Sequence, residues 1–275
     1  MNTELLNKLY EKYNIFNLTY GSIHDKLGDA YEEFCIAILT NADFLRAYRN
    51  GQCIDCVEFD IFETIMQKAG FNDASDVVEI TATNRVPHRA SRGNAKTDII
   101  ATFILRNGRT QLLTISSKQS YVPKVAVAEF DVETICNEVG IEDQRVRDLM
   151  TKFQVEKSAK WFTIEQQEEL RQRLRPYARD LVRWAITGSP EVNPPEVVFP
   201  KLLIKFKVVP PQDRFKINVE NGDLTYAGFN VYEIEEYVDL IMYGRNGNIK
   251  ESGFGTGLAW TYASGSGGRK IQFKA

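Results

Sequence analysis

Two apolar, β-branched runs joined by a short turn constrain the fold of this chain most strongly. The runs span residues 99–105 and 110–115, and residues 106–109 between them read RNGR. An Asn-Gly pair between two such runs is a strong signal for a β-hairpin. Because the runs are apolar at most positions, they predict a strand pair that is buried on both faces.

Polar residues lie at the open end of this predicted hairpin. Asp98 precedes the first strand, and Ser116 and Lys118 end the second. The spacing of Ser116 and Lys118 puts both side chains on one face of a strand. Phosphodiester hydrolysis needs an activated water and stabilisation of charge on phosphorus. A carboxylate that holds Mg²⁺, with an ammonium beside it, meets that need, as in the Asp…(Asp/Glu)-x-Lys core of nucleases.

The register of the hairpin decides whether these groups meet. A two-residue turn at 107–108 would pair Asp98 with Ser117 and leave Lys118 on the opposite face. A three-residue loop whose glycine forms a G1 bulge would pair Asp98 with Ser116 and bring Lys118 to the same face. A nuclease interpretation therefore predicts the bulged hairpin. The alternative is an ordinary capping aspartate near a common S-x-K sequence.

The last strand of the chain carries a second pattern. Lys270, Gln272 and Lys274 alternate with Ile271 and Phe273. Lysine suits the O6 and N7 acceptors of guanine, glutamine can bond base edges, and a β-ribbon fits the major groove. The alternative is an amphipathic edge strand whose lysines prevent aggregation.

Charge is distributed unevenly along the chain. The 34 basic and 37 acidic residues give a net charge of -3, which argues against a general polyelectrolyte binder. Residues 85–124 nevertheless hold eight Lys or Arg against one acid, whereas residues 55–79 hold seven acids against one lysine. The basic segment is consistent with one polyanion-binding face, or with solvated loops on unrelated faces.

Composition excludes several classes of protein. With 275 residues, 43% of them hydrophobic and 26% charged, the chain has the composition of a soluble globular protein. No apolar run reaches the roughly 18 residues of a membrane span, and the N-terminus lacks the apolar segment of a signal peptide. We therefore expect a cytoplasmic protein with no membrane association.

The four cysteines do not form a zinc-site pattern. Cys53 and Cys56 make a C-x-x-C, but Cys35 and Cys136 are isolated within apolar helical runs. A structural zinc site usually needs two close-spaced pairs of ligands. We expect reduced thiols in or beside the core.

Hydrophobic periodicity, caps and turn residues predict the remaining elements. We expect helices at residues 3–14, 24–40, 54–69, 131–139, 163–187 and 230–242. We expect further strands at residues 202–209, 258–262 and 269–274. Pro176 should kink or split the fifth helix. Residues 83–95 should form a loop, and the proline-rich segment 189–200 a linker or a surface loop.

Several blocks of sequence together resemble one enzyme family. They are residues 3–6 (TELL), 128–136 (AEFDVETIC), 158–163 (SAKWFT), 183–184 (RW), 253–266 (GFGTGLAWTYASGS) and 272–274 (QFK). These blocks run from the first residues to the last. The chain resembles, over essentially its whole length, the MspI family of type II restriction endonucleases within the PD-(D/E)xK superfamily.

This resemblance implies both a fold and an activity. The fold is α/β, a PD-(D/E)xK restriction-endonuclease-like core with a mixed central β-sheet flanked by helices in a single large domain. Its catalytic core would span about 20–140 and its DNA-recognition part about 200–275. The activity is Mg²⁺-dependent cleavage of double-stranded DNA at CCGG, after the first C, leaving 5′ phosphates, within a restriction-modification system. The resemblance suggests a monomer, with transient pairing of two monomers on DNA as the alternative.

The resemblance also assigns site residues. Asp98 falls on the family's metal-binding aspartate and Lys118 on its catalytic lysine. Ser116 occupies a position where the family has asparagine and related nucleases have an acid, so it would ligate metal weakly or hold a water beside it. Glu32 is a candidate supplementary carboxylate, or else a solvated helix acid.

DNA contacts are expected from two groups of residues. The tail residues matched to base-contacting positions or carried by the last strand are Thr261, Tyr262, Ser264, Lys270, Gln272 and Lys274. Phosphate contacts are expected from Arg89, Arg92 and Lys96. Ala126 lies where the family has a base-contacting serine, so one hydrogen bond is absent or replaced.

Two rival functions remain open from sequence. One is a non-catalytic, sequence-specific DNA-binding protein that lost its chemistry through Ser116. The other is a metal-dependent phosphohydrolase acting on small nucleotides. Mg²⁺-dependent nicking of CCGG DNA tests the first, and a steep salt dependence of DNA binding would count against the second.

Overall fold

The computed structural model describes residues 3–15, 20–72, 75–89, 95–120, 122–208 and 226–275, without the side chains of 20–22, 24 and 264. The chain divides into two compact units. The first comprises Met1–Val122 with Glu196–Glu233, and the second Pro123–Pro195 with Ile234–Ala275. Among the described helices, none has both the length and the hydropathy needed to cross a bilayer.

The described strands and helices follow one another in groups: four helices, four strands, four helices, two strands, one helix and two strands. The strands are β1 (Val77–Thr83), β2 (Ile99–Leu105), β3 (Thr110–Ser120), β4 (Ala126–Phe130), β5 (Leu202–Val208), β6 (Tyr226–Glu233), β7 (Ala259–Tyr262) and β8 (Ile271–Lys274). The α-helices are α1 (Glu4–Lys12), α2 (Tyr20–Leu39), α3 (Ala42–Arg49), α4 (Val57–Lys68), α5 (Val132–Val139), α6 (Gln144–Glu156), α7 (Ile164–Leu174), α8 (Ala178–Thr187) and α9 (Ile234–Met242). Three-residue 3₁₀ turns lie at Ala159–Trp161, Arg175–Tyr177 and Ser264–Ser266.

The first unit is built on a five-stranded sheet in the order β1-β2-β3-β5-β6. Strands β3 and β5 run parallel and the other neighbours antiparallel, so the sheet is mixed. The buried face of α2 packs on it through Tyr31 and Phe34, whose rings lie 4.8 and 6.0 Å from that of Phe206 on β5. The predicted α/β architecture, a mixed sheet flanked by helices, is confirmed.

The β2–β3 hairpin adopts the bulged form. Its loop has three residues, with Gly108 in the left-handed region at φ 79°. The Gly108 N–H donates to the Leu105 carbonyl at 2.9 Å, and the Leu105 N–H donates to the Arg109 carbonyl at 2.8 Å. The pairing of Ile99 with Ile115 continues this register up to the residue after Asp98, whose side chain contacts the Ser116 hydroxyl at 3.0 Å. The register that the nuclease interpretation requires is therefore confirmed.

The prediction that this hairpin is buried on both faces holds for residues 113–116 of β3, which are all buried, and is wrong for β2. Ile99, Ala101 and Phe103 are fully buried, whereas Ile100 and Thr102 between them are half-buried. The apolar run did not distinguish the faces because Ile100 is as apolar as its buried neighbours. Only one face of β2 packs into the core, and the other is left accessible near Asp98.

The second unit contains a three-stranded antiparallel sheet in the order β4-β8-β7. Strand β8 alternates as predicted, with Ile271 and Phe273 buried and Gln272 and Lys274 half-buried. It has a partner on each side, so the edge-strand interpretation of its lysines is wrong. Its polar residues cannot be explained as protection of an open edge.

Several predicted boundaries hold and one fails. The 163–187 segment is split into α7 and α8 by the 3₁₀ turn that contains Pro176, as predicted. The predicted helix at 230–242 is wrong in its first part, because β6 extends to Glu233 and α9 begins at Ile234. The sequence analysis missed α3, α6, β1, β4 and β6.

The remaining sequence predictions concern a linker and the thiols. The boundary between the two units falls at Pro195 and Glu196, inside the proline-rich segment. Cys35 and Cys136 are buried and Cys56 is half-buried, as expected, but Cys53 is exposed, so the expectation of a thiol in or beside the core is wrong for Cys53. The division into a catalytic part at about 20–140 and a recognition part at about 200–275 stays a prediction.

Candidate active site

Asp98 lies at the centre of a polar cluster at the open end of the β2–β3 hairpin. Its Oδ2 accepts hydrogen bonds from the Ser116 hydroxyl at 3.0 Å, the Ser117 N–H at 2.7 Å and the Lys118 ammonium at 2.8 Å. The Lys118 ammonium also donates to the Ser117 carbonyl at 3.1 Å. The side chains of Asp98 and Lys118 are 21% and 28% exposed, so solvent and a ligand can reach both.

Ser116 is the buried member of the cluster and contacts the Asp98 carboxylate. It is 1% exposed and pairs with Leu203 on the neighbouring strand β5. Its neutral hydroxyl donates to Asp98, which helps to fix the carboxylate. Two roles for Ser116 were expected from sequence, a weak metal ligand or a side chain that binds a water beside the metal. The contact with Asp98 adds a third role, which is to orient that carboxylate.

Glu32 joins the cluster from helix α2. It is half-buried. Burial, and after it the nearby negative charge of Asp98, raises the pKa of Glu32 to about 7, against the opposing effects of Lys118 and a hydrogen bond with Asn84. A fully solvated helix acid would not show this shift. The structure thus brings a second carboxylate close to Asp98, although its catalytic role stays a prediction.

The donor set of this cluster fits a hard divalent cation. Asp98 and Glu32 supply carboxylate oxygens, and the positive charge of a cation would relieve the repulsion that raises the pKa of Glu32. Within the described ranges, no group of three or more His, Cys, Asp or Glu side chains could hold a metal ion. A cation here would therefore keep several waters, as Mg²⁺ commonly does.

The raised pKa of Glu32 makes stability depend on pH. A carboxyl whose folded pKa lies above its ordinary 4.5 stabilises the fold below pH 4.5 and loses that contribution as the pH rises through about 7. Glu32→Gln should therefore raise the free energy of unfolding at pH 8 by on the order of 1–2 kcal/mol, less than the full shift implies because the side chain is partly solvated, and have little effect at pH 4.5. Urea unfolding in EDTA at both pH values measures this difference.

Glu33 provides a matched control for that measurement. Burial acts to raise its pKa, but hydrogen bonds from Lys12 and Tyr13 outweigh it and hold the pKa of Glu33 below the ordinary value. Glu33→Gln should consequently destabilise the protein at pH 8, the opposite sign. Equal effects of the two substitutions at pH 8 would show that the environment assigned to Glu32 is wrong.

The expected phosphate-contacting residues are only partly described. Burial, followed by the positive charge of Lys118, lowers the pKa of Lys96 to about 8. Lys96 is therefore largely shielded from solvent and close enough to Lys118 for the two charges to repel each other. The Arg89 guanidinium lies 5.3 Å from the centre of the Phe199 ring. Arg92 lies outside the described residues. Contacts of these three residues with phosphate stay predictions.

The expected base-contacting residues lie on the β4-β8-β7 sheet. Thr261 pairs with Gln272 across β7 and β8, and Lys274 pairs with Ala126 on β4. Tyr262 and Lys270 are exposed at the end where β7 and β8 are joined. The side chain of Ser264 is outside the described part of the chain, although its backbone forms a 3₁₀ turn.

Two residues near these sites escaped the sequence analysis. Asn84, the hydrogen-bond partner of Glu32, follows β1, a strand that was not predicted. Glu129 on β4 accepts a hydrogen bond from the Gln272 amide at 3.2 Å. Glu129 is the one charged residue in the otherwise apolar segment 126–130, and that contrast was the available sign that its side chain has a specific role.

Comparison with known proteins identifies the family. The sequence model of restriction endonuclease MspI matches residues 5–275. The chain is 34% identical to the type II restriction enzyme MspI of Moraxella sp over 279 residues, which cover 100% of both chains. It is 27% identical to the type II restriction enzyme BsuFI of Bacillus subtilis over 280 residues, covering 98% of this chain and 64% of that enzyme.

A solved structure agrees with the sequence comparisons. The crystal structure of restriction endonuclease MspI in complex with its cognate DNA matches with a TM-score of 0.85 and 33% identity, and the match covers 100% of both chains. The family model, the two related enzymes and the solved structure all indicate the same enzyme family. The chain belongs to the MspI family of type II restriction endonucleases.

Proposed function

We propose that this enzyme hydrolyses double-stranded DNA at CCGG, after the first C, in a Mg²⁺-dependent reaction that leaves 5′ phosphates. The observation that carries the proposal is the contact of Asp98 with Lys118 at 2.8 Å, at the accessible end of a hairpin in the required register. Likeness to an enzyme solved with its cognate DNA supports a DNA substrate. Such a substrate is consistent with action in the cytoplasm.

The side chains of the cluster have separable roles in this reaction. Asp98 and Glu32 would hold Mg²⁺, which when bound supplies a Lewis acid and lowers the pKa of water. Asp98 and the Ser117 carbonyl hold the Lys118 ammonium in place. From there Lys118 can orient the attacking water and neutralise charge on the scissile phosphate. Ser116 keeps the Asp98 carboxylate in position.

The polar face of β8 supports sequence readout in the major groove. Lys274 and Gln272 lie on the same face, and Thr261 pairs with Gln272 from the neighbouring strand. Lysine donates to the O6 and N7 acceptors of guanine, and two of the four bases of CCGG are guanines. We propose that this face contacts the bases as one monomer binds the site, with two transiently paired monomers as the alternative.

Lys274→Ala should weaken binding to CCGG duplex by about 1–3 kcal/mol and relax the preference for guanine. The reason is that a direct base contact contributes to the cognate complex and not to a scrambled one. Fluorescence anisotropy with cognate and scrambled duplexes in Ca²⁺ measures both affinities. An equal loss on the two duplexes would show that Lys274 contacts phosphate instead.

Digestion of a plasmid of known sequence tests the proposed function as a whole. Mapped ends should fall after the first C of CCGG, and a polynucleotide ligase should join them without prior phosphorylation. Cleavage should cease in EDTA and return with Mg²⁺. Ends at another sequence would refute the CCGG assignment, and cleavage in EDTA would refute the dependence on metal.

A further inference from the structure

A row of three polar side chains crosses the β4-β8-β7 sheet. Glu129, Gln272 and Thr261 are direct cross-strand neighbours, and all three are half-buried. The Gln272 amide nitrogen donates to Glu129 Oε2 at 3.2 Å. The Thr261 hydroxyl lies 3.3 Å from Gln272 Oε1 and 3.2 Å from the Gln272 backbone carbonyl, and it can donate to either. The central amide therefore has a partner on each side.

A β-bulge in β4 creates this row. The register shifts between Ala126, which pairs with Lys274, and Ala128, which pairs with Phe273. One extra residue at position 127 thus places Glu129 opposite Gln272, where an unbulged strand would place Ala128. Val127 and Ala128 are both buried, so the bulge brings Glu129 to the polar face without loss of core packing.

Glu129 fixes which way the amide of Gln272 points, since the Thr261 hydroxyl can donate or accept and suits either orientation. An ionised carboxylate only accepts hydrogen bonds, so Glu129 favours the orientation in which the amide nitrogen faces it. In the reverse orientation the amide oxygen would face the carboxylate, and the electrostatic interaction would be repulsive. With the orientation fixed, the second N–H of Gln272 remains for a ligand at a defined position.

We propose that Glu129 is a positioning residue for sequence specificity, which acts by fixing the amide of Gln272 that reads a base edge. This inference rests on the proposed function, because it assumes that the β8 face contacts DNA. A glutamine amide that can flip offers either a donor or an acceptor at one point, and so cannot distinguish bases that differ there. An amide that is held in one orientation offers only the donor or only the acceptor at that point.

Glu129→Gln tests this proposal because it keeps the size of the side chain but accepts either amide orientation. We expect the ratio of kcat/KM for the wild-type enzyme's own mapped site to that for single-base variants of the site to fall about tenfold. Glu133→Gln, an exposed substitution on α5 with the same charge change, is the control and should leave the ratio unchanged. Melting temperatures of both variants establish that they are folded.

A double-mutant cycle separates action through Gln272 from a direct or structural role. In a Gln272→Ala background, Glu129→Gln should change the ratio by less than about twofold, since the group that it orients is gone. Losses that multiply in the double variant would overturn the proposal. If the Glu129→Gln variant has a melting temperature well below that of Glu133→Gln, the Glu129→Ala variant replaces it in the cycle. That substitution also leaves the Gln272 amide free to adopt either orientation.

The outcomes distinguish this inference from the function on which it rests. A wild-type chain that cuts no DNA would overturn the proposed function and the inference together. A wild-type chain that cuts a defined site, with an unchanged ratio in folded Glu129→Gln, would overturn the inference alone.

Discussion

Asp98→Asn should reduce DNA cleavage by about a thousandfold or more, corresponding to roughly 4 kcal/mol of transition-state stabilisation. The substitution removes the carboxylate that would hold the metal but retains an oxygen to accept from Ser116 and from the Ser117 N–H. The fold should therefore persist. Conversion of supercoiled plasmid to nicked and linear forms in Mg²⁺ measures the rate.

Binding to DNA should survive the same substitution. Removal of a negative charge near the phosphates leaves affinity for the cognate duplex equal or higher, which a gel-shift assay can measure. Asp43→Asn on α3, a surface aspartate paired with Arg46, is the control and should cut at the wild-type rate. Cleavage by the Asp98 variant at the wild-type rate would show that the active site lies elsewhere.

Lys118→Ala should have the second-largest effect, a loss of cleavage on the order of a thousandfold. The alanine removes the ammonium that contacts Asp98 at 2.8 Å and leaves that carboxylate with the hydrogen bonds from Ser116 and Ser117. Single-turnover cleavage of an oligonucleotide duplex at saturating enzyme isolates the chemical step from binding.

The control for this variant is Lys8→Ala on α1. Lys8 forms an exposed i,i+4 ion pair with Glu4, and such pairs contribute little to stability. This variant should keep the wild-type rate. A Lys118→Ala enzyme whose KM rises while its maximal rate is unchanged would contradict the catalytic role, since it would place Lys118 in substrate binding alone.

Local chemistry made the geometry of the candidate site partly predictable from sequence. The turn residues of the hairpin limited the register to two choices, and the nuclease interpretation required one of them. The roles of Asp98 and Lys118 came from the resemblance, which extends over the whole chain. The structure places them as the bulged register requires.

Features that depend on distant parts of the chain were not predictable in this way. Strand β6 was taken for the start of a helix because its identity comes from pairing with β5, about 25 residues earlier. Glu32 reaches the cluster only because α2 packs on the sheet, and it entered the sequence analysis through resemblance alone. Glu129 faces Gln272 because of a bulge that no turn signal marks.

The loop of the β2–β3 hairpin has a consequence for engineering this enzyme. Exposed hairpin tips are ordinarily the safest places to shorten a chain, and a two-residue Asn-Gly turn is a standard stabilising choice. Here, removal of one loop residue would leave Leu105 paired with Arg109. A two-residue turn formed at 107–108 in the full-length loop would instead pair Arg106 with Arg109 and exchange the inner and outer faces of one strand relative to the other. Ser116 lies eight residues from Gly108, roughly 27 Å along the strand, yet its alignment with Asp98 is set at that tip. Substitutions in this loop that favour the two-residue turn would therefore turn Ile99, Ala101 and Phe103 away from the core and separate Ser116 from Asp98, so that stability and activity would be lost together.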